Sequence, residues 1–388
     1  MFQFEKALTK LEQQHLSRAL IPLDSESSTV ARRNGRELLL FCTNNYLGLA
    51  NHPKLKAAAI SAIQARGVGA GASRLISGHS DLNDDLEAKV ARFKSAESAL
   101  VFSSGYMTNI GAIGSIAQKE DLILADRLNH ASLVVGCRLS GGRFRVYAHK
   151  DMTQLRRLLS NRKTIQNVLI VTDGIFSMDG DIAPLPEILA LAEEYDASIY
   201  LDDAHATGVL GVHGGGTCDH FKLSSSRIIQ MGTFSKACGG FGGFIAGKGA
   251  LKQYLINKAP SFIYTTALPP GVLATALAAL ELIEAEGSLR KGLWKNRAYF
   301  CERAAQLGFD TLASETPIVP LCIGSSEKAV DFSKRLFEDG IYIPPIRPPT
   351  VPEGTSRLRV TLTAAHTKCQ IDFLLSRLEK IGKDLRVI

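Results

Sequence analysis

The stretch Ile199-Tyr200-Leu201-Asp202-Asp203-Ala204-His205-Ala206-Thr207-Gly208 decides the fold. A short apolar run stops at two acids, and a histidine follows among small residues. Continuously apolar runs of this length are strands covered on both faces, as in a parallel sheet. Neighbouring runs end in the same way. Residues 99–102 lead into Ser103-Ser104-Gly105-Tyr106, and residues 122–125 into Asp126-Arg127-Leu128-Asn129-His130. Residues 168–172 lead into Asp173-Gly174, and residues 228–232 into Thr233-Phe234-Ser235-Lys236. Residues 243–246 form a sixth strand candidate. Helical patterns such as 81–93 and 186–194 lie between the runs, so the spacing predicts repeated βα units and a doubly wound α/β sheet. Ligands in such sheets bind beyond the carboxyl ends of the strands. Those ends bring together a helix N-terminus suited to phosphate, two histidines, an acid, hydroxyls and one lysine.

Outward from this sheet the pattern changes. Residues 2–20 place Phe4, Leu8, Leu11 and Leu16 at near-helical spacing, an amphipathic lead-in helix. After about residue 285 the order restarts as helix, strand (318–323), helix (327–338), two strands and a final helix. Residues 356–363 alternate, with Leu358, Val360 and Leu362 on one face. A chain of 388 residues exceeds what one core usually fills. The expected division is an N-terminal helical arm (1–40), a large domain (41–284) and a small C-terminal α/β domain (285–388).

Composition narrows the class. The chain is 45% hydrophobic and 21% charged, the proportions of a globular protein and not of a disordered or fibrous one. Lys and Arg number 45 against 38 Asp and Glu, a net charge of +7 without a basic run. That argues for solvated surface charge and not for a nucleic-acid face. A modest positive field suits an anionic substrate or cofactor. Seven widely spaced cysteines without a CxxC pair argue against a disulfide framework and a zinc ribbon, and for a reducing compartment. The start MFQFEKALTKLEQQHL lacks the apolar core of a secretory signal, so a cytoplasmic location is expected. Residues 259–280 carry no charge, but Pro269-Pro270 interrupts them and Tyr264-Thr265-Thr266 is polar. They read as a loop and a buried helix, not a membrane anchor.

Taken singly, each candidate has an ordinary explanation. An Asp-Asp pair is often a cap or turn, a loop histidine is usually structural, and Cys238 reads as a buried filler. Together they match one cofactor. Pyridoxal phosphate needs a lysine for a Schiff base, a carboxylate on its pyridinium nitrogen and donors for its phosphate. Two rivals fare worse. Gly67-Val68-Gly69-Ala70-Gly71-Ala72-Ser73 suggests a dinucleotide fingerprint and an oxidoreductase, but it does not join a strand to a helix. Asp202, His205 and His213 lack compact metal-ligand spacing, so no metal is expected.

These segments resemble the α-oxoamine synthase family of fold-type I pyridoxal-phosphate enzymes over nearly the whole chain. The resemblance is carried by Thr43-Asn44-Asn45-Tyr46-Leu47-Gly48-Leu49, Gly71-Ala72-Ser73-Arg74-Leu75-Ile76-Ser77-Gly78 and Asp126-Arg127-Leu128-Asn129-His130-Ala131-Ser132. It continues through Phe176-Ser177-Met178-Asp179-Gly180-Asp181, residues 202–208 and Thr233-Phe234-Ser235-Lys236. It implies a mostly parallel seven-stranded sheet between helices, with a small C-terminal domain. It also implies that Lys236 forms the Schiff base and moves the Cα proton, that Asp202 pairs with the ring nitrogen and His205 with the ring hydroxyl, and that His130 stacks on the ring. Gly105, Tyr106 and Thr233 would bind the phosphate, with Ser177 beside the cofactor. Thr266 would reach the phosphate of the neighbouring subunit in a homodimer with active sites at the interface. Arg347 would hold the amino-acid carboxylate, with Arg18 at the substrate entrance and Asn44 on the active-site wall. Within the family, Ile346-Arg347-Pro348-Pro349-Thr350-Val351-Pro352 and residues 356–366 most resemble the branch that joins L-alanine to a pimeloyl thioester, on CoA or a carrier protein, in biotin synthesis. Glycine C-acetyltransferase and the other sister enzymes share the same core.

Overall fold

The structure, a computed structural model, describes residues 4–14, 16–25, 29–162, 165 and 167–388. The chain divides into two compact units. The larger comprises Leu49–Ser177 and Ile182–Arg290; the other comprises Met1–Gly48, Met178–Asp181 and Lys291–Ile388.

The first strands belong to the terminal unit: β1 (Asp24–Ser25), β2 (Val30–Arg33) and β3 (Arg36–Leu40). The helix before them spans Phe4–Gln13. β2 and β3 form a hairpin joined by Asn34-Gly35. Both turn residues have positive φ, 50° and 78°. That is the backbone Asn-Gly supplies in a two-residue turn.

The larger unit holds β4 (Ser98–Phe102), β5 (Leu122–Asp126), β6 (Arg143–Tyr147), β7 (Val168–Asp173), β8 (Ser198–Asp202), β9 (Ile228–Thr233) and β10 (Gly243–Gly247). They form one seven-stranded sheet in the order β4-β10-β9-β8-β7-β5-β6. β10 runs antiparallel to both β4 and β9, and the other neighbouring pairs are parallel. The central strands β5 and β7 are buried at every position, which is why they read as unbroken apolar runs. The seventh strand, β6, escapes that reading. It is the edge strand Arg143-Phe144-Arg145-Val146-Tyr147, in which only Tyr147 is buried. Charged residues are common on such edges.

Two apolar layers sandwich this sheet. Leu124, Ile170, Ile188, Leu191 and Ile199 belong to one cluster, and Leu100, Ile113, Leu133, Tyr200 and Phe262 to the other. The uncharged stretch after residue 259 forms the short helix Pro260–Ile263 and the helix Pro270–Ala285, whose Leu273, Ala276, Leu280 and Ile283 are buried. No helix among the described residues is long and apolar enough to cross a membrane. The glycine-rich run from Gly67 follows the helix Pro53–Arg66 and not a strand, as the sequence context indicated.

The terminal unit continues with β11 (Ile318–Gly324), β12 (Ile341–Tyr342), β13 (Pro345–Ile346) and β14 (Ser356–Thr361). β12 pairs parallel with β3, and β14 lies between β11 and β13. Its core is Phe41, Phe300, Leu321, Phe332, Leu358, Val360, Leu374 and Leu378. The alternation along β14 is as expected, and all six of its residues are buried. The second face carries Arg357 and Arg359, satisfied by Asp179 and Asn44 respectively. Alternating polar residues therefore mark buried ion and hydrogen-bond partners here, not a wet face.

Candidate active site

The carboxyl ends of the parallel strands open onto a cavity of about 180 Å³. It is lined by Ser104, Gly105, Tyr106, Asn109, His130, Ser132, Asp173, Asp202, Ala204, His205, Met231, Thr233, Ser235 and Lys236. Seven of the expected residues thus meet in the larger unit: Gly105, Tyr106, His130, Asp202, His205, Thr233 and Lys236.

Each arrives on a short connection from a strand. After β4, Ser104 caps the helix Gly105–Ile116, its Oγ accepting from Met107 N at 3.2 Å. Thr108 N is taken by Ser104 O. The first four N–H groups of a helix lack intrahelical acceptors, which leaves those of Gly105 and Tyr106. The helix start can lie this close to the sheet because Gly243 of β10 has no side chain. A Cβ there would stand 2.9 Å from Gly105 N and Cα. After β9, Thr233 Oγ1 donates to Gly242 O at 2.7 Å and meets Ser235 Oγ at 2.8 Å.

Asp202 ends β8 and is 3% exposed. Its Oδ1 accepts from Ala204 N at 2.9 Å and its Oδ2 from Asn109 Nδ2 at 2.7 Å. Tyr200 OH donates to Asn109 Oδ1 at 2.9 Å. That bond fixes the amide with its donors toward Asp202 and Ser132. Ser132 N in turn donates to His130 Nδ1 at 3.3 Å, with Ser132 Oγ 2.7 Å from the same atom. Nδ1 is therefore an acceptor, and the proton of the neutral ring sits on Nε2. Burial first, and then the nearby Lys236 ammonium, hold the His130 pKa below its ordinary value against the opposing pull of Asp202. Asp173, at the end of β7, accepts from His130 N at 2.8 Å. Burial and the neighbouring Asp202 push its carboxyl well above the usual range.

Asn109, Ser132 and Asp173 are lining residues that the sequence reading misses. Asn109 carries a signal: it lies one helical turn beyond Gly105, on the same face of a helix whose start is already assigned to phosphate. Cys238 is fully buried, and burial pushes its thiol up to about 12, as befits a filler.

The remaining expected residues do not line this cavity. Ser177 is half-buried at the end of its segment, and Thr266 forms a backbone bridge with Ser73. Arg18, Asn44 and Arg347 belong to the terminal unit. Arg347 donates to Ser17 O at 3.2 Å, and burial together with Arg18 lowers its pKa. Asn44 Oδ1 receives both Arg359 Nη atoms at 3.2 Å and Tyr46 OH at 3.4 Å.

The donor set fits pyridoxal phosphate. It offers free N–H groups at a helix start, a buried carboxylate with fixed orientation, a neutral imidazole and an amine. The chain belongs to the aminotransferase class I and II family, whose model matches residues 36–378. Its α/β fold, a seven-stranded, mostly parallel sheet flanked by helices, is that of the fold-type I pyridoxal-phosphate enzymes. It is 48% identical to the 8-amino-7-oxononanoate synthase of Geobacter sulfurreducens over 98% of each chain. Among solved structures it is similar to a serine palmitoyltransferase from S. paucimobilis with bound PLP-myriocin, at TM-score 0.94 and 29% identity over 99% of this chain and 98% of that one. An 8-amino-7-oxononanoate synthase from Francisella tularensis matches at TM-score 0.79 and 29% identity, over 90% and 98%.

Proposed function

We propose that the protein catalyses the 8-amino-7-oxononanoate synthase reaction of biotin synthesis: L-alanine and a pimeloyl thioester, on CoA or a carrier protein, give 8-amino-7-oxononanoate, CO2 and the free thiol. The observation that carries this reading is the meeting of Lys236, Asp202, His205 and His130 with the helix start at Gly105 in one cavity. The near full-length similarity to curated synthases supports the choice of substrates.

Pyridoxal phosphate, when bound, supplies an electron sink for the carbon that loses its proton. The Gly105 and Tyr106 N–H groups and the Thr233 hydroxyl would hold its phosphate at the positive end of the helix. Asp202, pinned by Ala204 and Asn109, would hold the protonated ring nitrogen, and His205 the ring hydroxyl. His130 would cover the ring face without adding a positive charge. Lys236 Nζ would be the covalent anchor for the cofactor and the base that takes the Cα proton of alanine. Ser177 would lie beside the cofactor. Arg347 would receive the alanine carboxylate, which suits a planar guanidinium, with Arg18 at the entrance and Asn44 on the wall.

A second copy of the chain would complete the enzyme as a homodimer, with Thr266 reaching the neighbouring phosphate. An apolar groove of about 400 Å³ with Ile63, Val68 and Phe241 on its lining supports this. In the same unit Ile76 and Tyr264 are 80% and 85% exposed.

The test is release of free thiol from pimeloyl-CoA by purified protein with pyridoxal phosphate and each of alanine, glycine and serine, repeated with acetyl-CoA. Fastest turnover with alanine and pimeloyl-CoA is expected. A pocket that discriminates by one methyl group gains only about 10- to 200-fold, so glycine is expected to react slowly and not to be excluded. Fastest turnover with glycine and acetyl-CoA would assign the chain to the acetyltransferase branch.

A further inference from the structure

The seven-stranded sheet ends on one side at β4, which pairs only with β10. An ion pair, not a strand, covers the outer edge of β4. Val101 N donates to Glu87 Oε1 at 2.9 Å. Arg74 Nη1 donates to the same Glu87 oxygen and lies 3.4 Å from Val101 O. The two side chains are buried, 9% exposed for Arg74 and 2% for Glu87. The edge N–H and C=O of Val101 are thus met by one carboxylate and one guanidinium.

Both partners reach further. Glu87, on the helix Asp81–Phe93, also pairs through Oε2 with Lys252 of the helix Gly249–Lys258, at 2.8 Å. Arg74 stands over the Phe262 ring at 5.2 Å, and Phe262 meets Phe102 of β4 edge-on at 5.7 Å. The residues just before Arg74 hold the segment after Phe262. Ser73 bridges to Thr266, and Ala267 N donates to Ala72 O at 3.0 Å. On the other side, β4 runs from Val101 through Phe102 to the helix start at Gly105. The pair therefore lies between two segments assigned to phosphate, the Gly105 helix start and Thr266.

We propose that Arg74 and Glu87 are positioning residues for the cofactor phosphate, an inference that rests on the reading of Gly105 as its seat. Neither residue lines the cavity. They act by fixing the end of β4 and the Thr266 segment in place. A buried carboxylate between two cations resists displacement, because moving it leaves charge unpaired in a medium of low dielectric. The ring end of the cofactor depends on Asp202 at the end of β8 and on His130 and Lys236, which follow β5 and β9. The pair thus governs the grip on the phosphate and not the grip on the ring.

Titration of the apo-protein with pyridoxal phosphate and with pyridoxal, each followed by the visible band, tests this, because pyridoxal keeps the ring and aldehyde but lacks the phosphate. Thermal midpoints are measured on the same proteins. Glu87→Gln keeps an acceptor for Val101 N but strands the Arg74 cation, so its midpoint is expected to fall. Arg74→Met/Glu87→Gln removes both charges of the pair and leaves Lys252, 25% exposed, to solvent, so most of that stability is expected to return. In both variants the affinity for pyridoxal phosphate is expected to fall about tenfold or more, while that for pyridoxal stays within about twofold of the parent. The double variant carries the test if Glu87→Gln does not fold. Recovery of pyridoxal phosphate affinity along with stability in the double variant, or equal weakening of both aldehydes, would overturn the inference and leave the cofactor reading standing. A parent protein that gives no band with either aldehyde would overturn the cofactor reading and this inference with it.

Discussion

Lys94 and Asp203 form an ion pair at 2.8 Å in which neither side chain has any solvent exposure. Lys94 also donates to Gly215 O at 2.6 Å, and Asp203 accepts from Thr217 N at 3.1 Å and from the Thr217 hydroxyl. Asp203 N donates to Met231 O at 2.8 Å. The two adjacent acids after β8 therefore have separate roles: Asp202 faces the cavity, and Asp203 ties the following loop, with His205 in it, to β9 and Lys94. Lys94→Met would leave a buried carboxylate unpaired and is expected to cost about 3–5 kcal/mol, whereas Lys94→Met/Asp203→Leu removes both charges and should recover much of that loss. Urea unfolding of the two variants makes the comparison. Equal stability of single and double variants would count against the pair as the origin of the cost.

Asn109 orients Asp202 and Ser132 at once. Asn109→Leu strands Tyr200 OH and removes a donor from Asp202, a loss of about 1–3 kcal/mol, or roughly 5- to 150-fold in kcat/KM for thioester condensation. The protein should remain folded by circular dichroism. Undiminished turnover in the folded variant would show that Asp202 does not depend on the amide.

Gly243→Ala places a methyl group 2.9 Å from backbone atoms of Gly105, which cannot move without moving the helix start. Cofactor affinity, followed by the visible band, is expected to fall by about tenfold or more, with a smaller effect on thermal stability. Unchanged affinity would show that the helix start has room to shift.

Arg347→Lys should raise KM for alanine strongly while leaving cofactor affinity close to that of the parent, because an ammonium cannot reproduce a bidentate grip on a carboxylate. A spectral titration with alanine is the readout. Unaltered alanine binding would remove Arg347 from the substrate site.

His366 makes stability pH-dependent. It stacks on Phe41 at 4.1 Å between ring centroids, accepts from Thr363 N at 3.0 Å and lies 3.0 Å from Leu40 O through Nε2. Burial lowers its pKa to about 4. The unfolded chain takes up a proton near pH 6.5 and the folded chain only near 4. This contribution is therefore complete above about 6.5 and is lost as pH falls toward 4. The loss amounts to about 3 kcal/mol at most. Urea melts at neutral pH and near 4.5 should show a smaller pH-dependent drop for His366→Leu than for the parent. The same drop in both would assign the acid sensitivity to other groups.

Much of the larger unit is legible in the sequence because its physics is local and repetitive. Strands β5, β7 and β8 are buried on both faces and so read as apolar runs, and the residues that follow them have to lie at one edge of the sheet. That rule alone places Lys236, Asp202, His205, His130 and Gly105 around one cavity. The Asn34-Gly35 turn is equally legible, yet the expectation of a helical arm over the first forty residues passes over it. Only the tertiary structure decides the rest. β6 is an edge strand with charged residues, so no burial pattern announces it. The partition of labour between Asp202 and Asp203 depends on Lys94, far earlier in the chain. The arginines of β14 look solvent-facing by alternation, yet they are buried because Asp179 and Asn44 fold back to meet them. Periodicity reports which face of an element is apolar. It does not report which distant side chain satisfies a polar one, because that partner is chosen by the path of the whole chain.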